Sequence, residues 1–130
     1  MEKSSETLEE RTERFAVDVI GLIRTLPADD PGPTVKRQLA KSATSVASNY
    51  RASRRARSHA EFTARVGVVA EETDESYFWL RIAVKSGLST SVELPRLVKE
   101  SDELTAIFSK MVGTARRNER LRKTGDGVKG

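Results

Sequence analysis

Cysteine is absent from this 130-residue sequence, which excludes a disulfide framework, a thiolate metal site and a cysteine nucleophile. Aromatic residues make up only 5% of the chain and there is a single histidine, so imidazole chemistry has one candidate. The four prolines and eight glycines are few, and most fall between positions 27 and 33 or after position 124. Long uninterrupted stretches therefore remain available for helix formation.

Long hydrophobic runs are also missing. No window approaches the roughly 20 apolar residues that a membrane span requires, and the charged first 15 residues do not fit a signal peptide. We therefore expect a soluble cytoplasmic protein that does not associate with a membrane. Charged residues make up 32% and hydrophobic residues 37%, a mixture typical of helical bundles, and the formal net charge is +4.

The apolar residues recur at steps of three and four, which predicts four amphipathic helices. Pro27 ends the first helix, Ser58 with Glu61 predicts a capping box for the third, and Gly87 predicts its C-terminal end. The predicted helices span residues 8–26, 34–55, 59–86 and 93–122. Short connections favour an all-α, antiparallel up-down-up-down four-helix bundle over residues 1–123, followed by a disordered tail at 124–130.

The third helix carries four carboxylates, Glu71, Glu72, Asp74 and Glu75. A dinuclear metal site in a helical bundle needs Glu-x-x-His motifs, but the one histidine, His59, lies outside any such motif. We predict solvated or salt-bridged carboxylates, no metal and no cofactor. Since His59 also lacks a nucleophile context, we interpret it as a solvent-exposed turn residue and expect no enzymatic activity.

Basic residues form two clusters, one at the end of the second helix and one at the end of the fourth. They are Arg51, Arg54, Arg55 and Arg57, and Arg116, Arg117, Arg120, Arg122 and Lys123. In an up-down-up-down bundle both clusters lie at the same end, where clustered arginine is typical of phosphate binding. Alternatively, these cations complement the two helix C-termini or pair with the third-helix carboxylates. Both interpretations stay open.

Tyr77, Phe78 and Trp79 are three consecutive aromatic residues within the third predicted helix. Adjacent helical residues point about 100° apart, so at least one of the three must face outward or into a subunit interface. Additional apolar positions elsewhere favour self-association, although a wide core face explains the pattern equally well. Those additional positions are Ile20, Ile23, Ile82 and Ile107.

Several residues occur at a spacing that resembles a known family. They are Asn49-Tyr50-Arg51-Ala52, Ala56-Arg57-Ser58, Glu61-Phe62, Glu71-Glu72-x-Asp74-Glu75-Ser76, Trp79-Leu80 and, more loosely, Glu103-Leu104-x-x-Ile107-Phe108. The pattern resembles the bacterial four-helix bundle protein family, also called the rRNA-intervening-sequence protein family. That family is related to the accessory variability protein of diversity-generating retroelements, which works beside a reverse transcriptase and binds nucleic acid.

The resemblance implies a ring-like homopentamer of small bundles. It also implies that Asn49, Glu72 and Trp79 are packing and hydrogen-bonding residues, and that the arginines are the surface-binding candidates. We therefore predict a non-enzymatic, oligomeric accessory factor that binds RNA or DNA, with a reverse transcriptase or another protein as a further partner. The alternative is a structural or protein-interaction scaffold with no nucleic-acid role.

Overall fold

The computed structural model describes residues 5–129, with side chains described to residue 124. It contains four helices: α1 (Leu8–Ile23), α2 (Gly32–Ser53), α3 (His59–Lys85) and α4 (Glu93–Lys129). No strand occurs within the described range. Each helix packs against the next, and α1 also contacts α4, so the helices close into a bundle with α3 packed extensively on α2 and α4. The predicted all-α four-helix fold is confirmed.

The helix bounds differ from prediction in α1, α2 and α4, and α2 begins and ends two residues earlier than the predicted 34–55. Helix α1 ends at Ile23, because residues 24–26 form a turn in which the buried Leu26 still packs on the core. Helix α4 continues to Lys129, so residues 124–129 are helical where the sequence predicts a disordered tail. A glycine in a helix costs about 1 kcal/mol but does not forbid it, and no proline follows to end α4. Residues 1–4 of the predicted bundle and residue 130 of the predicted tail lie outside the described residues.

The core is formed by one apolar stripe from each helix, with spacings of three and four residues. Phe15, Leu39 and Phe108 are among its largest fully buried side chains. The buried residues of α3 are Thr63, Val66, Gly67, Val69, Thr73, Ser76, Leu80 and Ala83. No described helix combines the length and the apolar character needed to cross a membrane.

A forked ion pair joins α1 to α4. The Arg11 Nε and Nη2 atoms each donate to one Glu100 carboxylate oxygen at 2.8 Å, and Nη2 also donates to Glu103 at 3.0 Å. Closer to the C-terminal end of α1, Arg96 of α4 donates a hydrogen bond to Asp18 of α1 at 3.1 Å. The residue numbers increase along α1 while those of the α4 partners decrease, so the two helices are antiparallel. Their register is fixed by charge-assisted hydrogen bonds.

The connection between α1 and α2 approaches the start of α2 closely. The buried Gly32 donates its backbone N–H to Asp29 at 2.9 Å. A Cβ atom at Gly32 would overlap the backbone carbonyl of Pro27, which cannot move aside as a flexible side chain would. Glycine is therefore required here by space.

We expect Gly32→Ala to lower the free energy of unfolding by about 1–3 kcal/mol, because the added methyl group forces the connection away from α2. Gly21→Ala on α1 is the matched control: apart from the adjacent residues and the backbone of its own helix, no atom lies within 4 Å of the added Cβ, so the change should stabilise the protein by about 0.5–1 kcal/mol. Urea unfolding followed by circular dichroism measures both changes. Equal stability of Gly32→Ala and the wild type would contradict the close approach.

Candidate nucleic-acid interface

The turn between α2 and α3 carries the first arginine cluster. Helix α2 ends at Ser53, and Ser58 caps α3 by accepting a hydrogen bond from the Glu61 N–H at 3.0 Å. The Glu61 carboxylate accepts from the backbone N–H of Arg57 at 3.1 Å, one residue before the cap. The predicted capping pair thus forms, but its return bond reaches one residue further back and fixes the arginine-bearing turn itself.

His59 connects this turn to α4. Its Nε2 atom lies 3.0 Å from the Ala115 carbonyl oxygen, and because a carbonyl only accepts, Nε2 carries the proton. The ring is half-buried, so the predicted solvent-exposed histidine is wrong. This bond places the first residue of α3, two positions after Arg57, beside the residue that precedes Arg116. The two arginine clusters therefore lie at the same end of the bundle.

The second cluster lies where α4 extends beyond the start of α3. Helix α3 begins opposite the buried Ala115, and from Arg116 to residue 124 every α4 side chain except the half-buried Glu119 is exposed. The Arg116 guanidinium folds back towards α3, with Nη2 3.4 Å from the position that a Cβ of Gly67 would occupy. The five cations of this cluster, Arg116, Arg117, Arg120, Arg122 and Lys123, are all exposed.

Ion pairing divides the arginines into two groups. Among the described side chains, every ion pair contains Arg11, Arg14 or Arg96. None of the nine cations of the two clusters is paired with a described carboxylate, including those of residues 71–75. One contact fits the helix-end alternative: Arg55 Nη1 donates to the Arg51 carbonyl at 3.4 Å. As far as the described side chains go, the cations therefore remain available to an anionic partner.

Arg54 has a different environment from the other cluster residues. It lines a depression of about 250 Å³ together with Tyr50 and three glutamates of α1, which are Glu9, Glu10 and Glu13. Carboxylates that line the same depression repel a phosphate group, so Arg54 is the member of the set least suited to bind nucleic acid. The sequence missed this arrangement because α1 and the end of α2 are distant in the chain.

Asn49 and Trp79, two of the predicted structural residues, make side-chain hydrogen bonds. The Asn49 amide donates to the Ser45 carbonyl at 3.0 Å, and its oxygen accepts from Arg65 of α3 at 3.1 Å. The Trp79 indole N–H donates to Glu75 at 2.9 Å. Asn49 thus links α2 to α3, whereas the polar contact of Trp79 stays within α3.

Glu72, the third of these residues, lies in an acidic depression of about 270 Å³ lined also by Lys41, Glu71 and Glu75. Burial raises the pKa of Glu72, and the charges of Glu75 and Glu71 add to this rise against the opposing effect of Lys41. Among the described residues, no three histidine or carboxylate side chains converge in a geometry that could hold a metal ion.

Of the three consecutive aromatics, Phe78 faces outward with 52% of its surface exposed, as the helical geometry predicts. Its ring meets the edge of Trp79 at 5.0 Å between centroids, while Arg81 lies over the Tyr77 ring at 5.5 Å. Tyr77 and Trp79 are half-buried. The outward aromatic is therefore confirmed.

An apolar groove of about 380 Å³ opens between the start of α3 and the second half of α4, beside the arginines. Sequence reasoning missed it, although the α4 residues on its wall recur at steps of four and three. The groove is lined by His59, Phe62, Ile107, Lys110, Met111, Thr114, Ala115 and Asn118.

Comparison with known proteins agrees with this architecture. Residues 7–110 match the family described as 23S rRNA-intervening sequence protein. The chain is also similar to a crystal structure of a protein with unknown function from the S23 ribosomal protein family of Bacteroides thetaiotaomicron VPI-5482. The two are 21% identical, with a TM-score of 0.74, over 82% of this chain and 98% of that chain, which shows a shared fold. No curated protein matches the chain.

We expect Glu72→Gln to raise the free energy of unfolding at pH 7. A carboxyl whose pKa is raised on folding binds its proton more readily in the native state, so its ionisation destabilises the fold as pH rises through that pKa. The gain should vanish below about pH 4, where Glu72 is protonated in both states. Asp74→Asn removes the same charge at an exposed neighbouring position and is the control. Urea unfolding at pH 7 and below about pH 4 measures the free energies of unfolding. Equal stabilities of Glu72→Gln and the wild type at pH 7 would contradict the prediction.

Proposed function

The chain belongs to the 23S rRNA-intervening sequence protein family, and we propose that it is an accessory factor that binds the phosphate backbone of nucleic acid. In this proposal it acts by binding and not by catalysis. The observation that carries it is the convergence of two exposed arginine clusters at one end of the bundle, unpaired among the described side chains.

The α4 cluster supports contact with phosphates along one helix face. Arg116, Arg120 and Lys123 follow each other at steps of four and three, which places them in one row along α4. Arginine guanidinium groups donate bidentately to phosphate oxygens, and each neutralised phosphate releases condensed counterions. A row of exposed cations can therefore contact several phosphates of one nucleic acid.

The arrangement favours recognition of backbone and shape over base sequence. Phosphate contacts fix position and orientation but carry no sequence information directly. Aromatic residues do not alternate with these arginines in the sequence, so base stacking of the kind used on single strands is not expected. We propose binding to RNA or DNA with little sequence preference.

We further propose that the protein works as a homo-oligomer, a pentamer by family resemblance, in the cytoplasm, with a reverse transcriptase or another protein as partner. Exposed apolar side chains on α1 and α3 support burial between copies: Val17 is 65% and Phe78 is 52% exposed. Assembly would repeat the basic end in each copy, and several weak sites on one nucleic acid raise the overall affinity.

The triple variant Arg116→Glu, Arg117→Glu and Arg120→Glu should abolish most RNA and DNA binding. In the wild type, affinity should fall steeply with salt concentration. The slope of log affinity against log salt concentration should be about 2–3 less negative in the variant, because three phosphate contacts are removed. Fluorescence anisotropy with labelled RNA and DNA duplexes at several salt concentrations measures both quantities.

The matched control is Arg24→Glu, Arg37→Glu and Lys85→Glu, three exposed cations near the other end of the bundle, which changes the net charge by the same amount. This control should keep most of the binding. Equal losses in the two triple variants would show that only net charge matters. Unchanged binding in the first variant would favour the protein-interaction scaffold, with the arginines serving protein interfaces.

A further inference from the structure

The groove between α3 and α4 continues into a longer face of α4, the apolar row, in which the apolar Ile107, Met111 and Leu121 are accompanied by the polar Thr114 and Asn118. Ile107, Met111, Thr114, Asn118 and Leu121 follow each other at steps of four, three, four and three, the repeat by which one helix packs against another. Four of them line the groove, and Leu121, 63% exposed, extends the same face beyond the start of α3. We infer that this surface is a docking site for an acidic amphipathic helix of a partner protein.

The face is distinct from the one that α4 contributes to the bundle core. The core side of α4 contains Leu104, Phe108 and Ala115, which are all buried. Ile107 and Met111 are only half-buried, packing on the core with part of their surface open to the groove. Helix α4 therefore has a second interaction face at an angle to its core face, as in a helix that packs against two neighbours.

The position of α1 explains why this face has no neighbour within the described chain. Arg11, in the first turns of α1, already contacts Glu103, and α1 begins at Leu8. Helix α4 continues from Glu103 to Lys129, so its later turns extend past the start of α1. Beside these later turns of α4, the groove is bounded on one side by His59 and Phe62 of α3 and is open on the other side.

The charges around the face determine the chemistry of its occupant. At 100° per residue, Lys110 and Arg117 lie on one side of the apolar row and Arg122 on the other. None of the described side chains that line the groove is acidic. A second copy of α4 would bring like charges together, which is unfavourable at helix-pair distances. A helix with apolar residues on one face and carboxylates beside them is complementary both to the apolar row and to the cations on either side of it.

This inference goes beyond the proposed nucleic-acid function and does not depend on it. The apolar row and the row of Arg116, Arg120 and Lys123 lie on different sides of α4, since these cations are offset from the apolar row by more than 100° on average. A protein partner and a nucleic acid could therefore occupy the same end of the bundle together.

The test is selection from a displayed library of random peptides, each long enough for about five helical turns, against the full chain. Enriched peptides should carry apolar residues at i, i+4 and i+7 and a net negative charge. Their affinity should fall about tenfold or more in Met111→Glu and in Leu121→Glu. Because Leu121 lies beyond the start of α3, its variant tests the site even if Met111→Glu disturbs the core.

Val92→Glu, which places a carboxylate at an exposed apolar position in the connection between α3 and α4, is the matched control and should bind the peptides as the wild type does. Enriched peptides that are basic, that lack the helical spacing or that bind Leu121→Glu normally would overturn the inference. So would a smaller oligomer in Leu121→Glu, since it would show that a second copy covers the face. Groove variants should keep RNA binding, and the arginine triple variant should not, which separates the two proposals.

Discussion

The forked pair between Arg11 and Glu100 fixes the register of α1 against α4, and the exposed end of the bundle depends on that register. Helix α1 has 16 residues and α4 has 37, so an antiparallel pair aligned at this point cannot end together. The later turns of α4 pass beyond the start of α1 and then beyond His59 at the start of α3. The mismatch in helix length creates both the basic end and the apolar groove.

Ion pairing differs between the part of α4 that lies beside α1 and the later turns that extend past it. Where α1 lies beside α4, three arginines are paired with carboxylates, as in Arg96 with Asp18, and these pairs stabilise the contact between the two helices. Where α4 has no neighbour, the cations are exposed and carry no described ion pair. Unpaired like charges close together repel one another, so the basic end costs stability unless an anionic partner is bound. This is the physical reason for proposing such a partner.

Local signals in the sequence predicted α3 to within one residue. Ser58 caps its start, and Gly87, with a φ of 69°, ends it by allowing the N–H of Leu88 to reach the Ala83 carbonyl. The ends of α1 and α4 were harder to predict. Leu26 continues the apolar pattern although it lies in a turn, and the glycines near the end of α4 resemble a tail although the backbone there is helical.

The sequence by itself determined the four helices, their core stripes and the two arginine clusters, because each depends on residues a few positions apart. Only the tertiary structure decided which charges meet. Arg11 pairs with Glu100, 89 positions away, Arg54 lies beside the α1 glutamates, and His59 is held against Ala115. Such contacts depend on helix register and length, which local spacing does not encode.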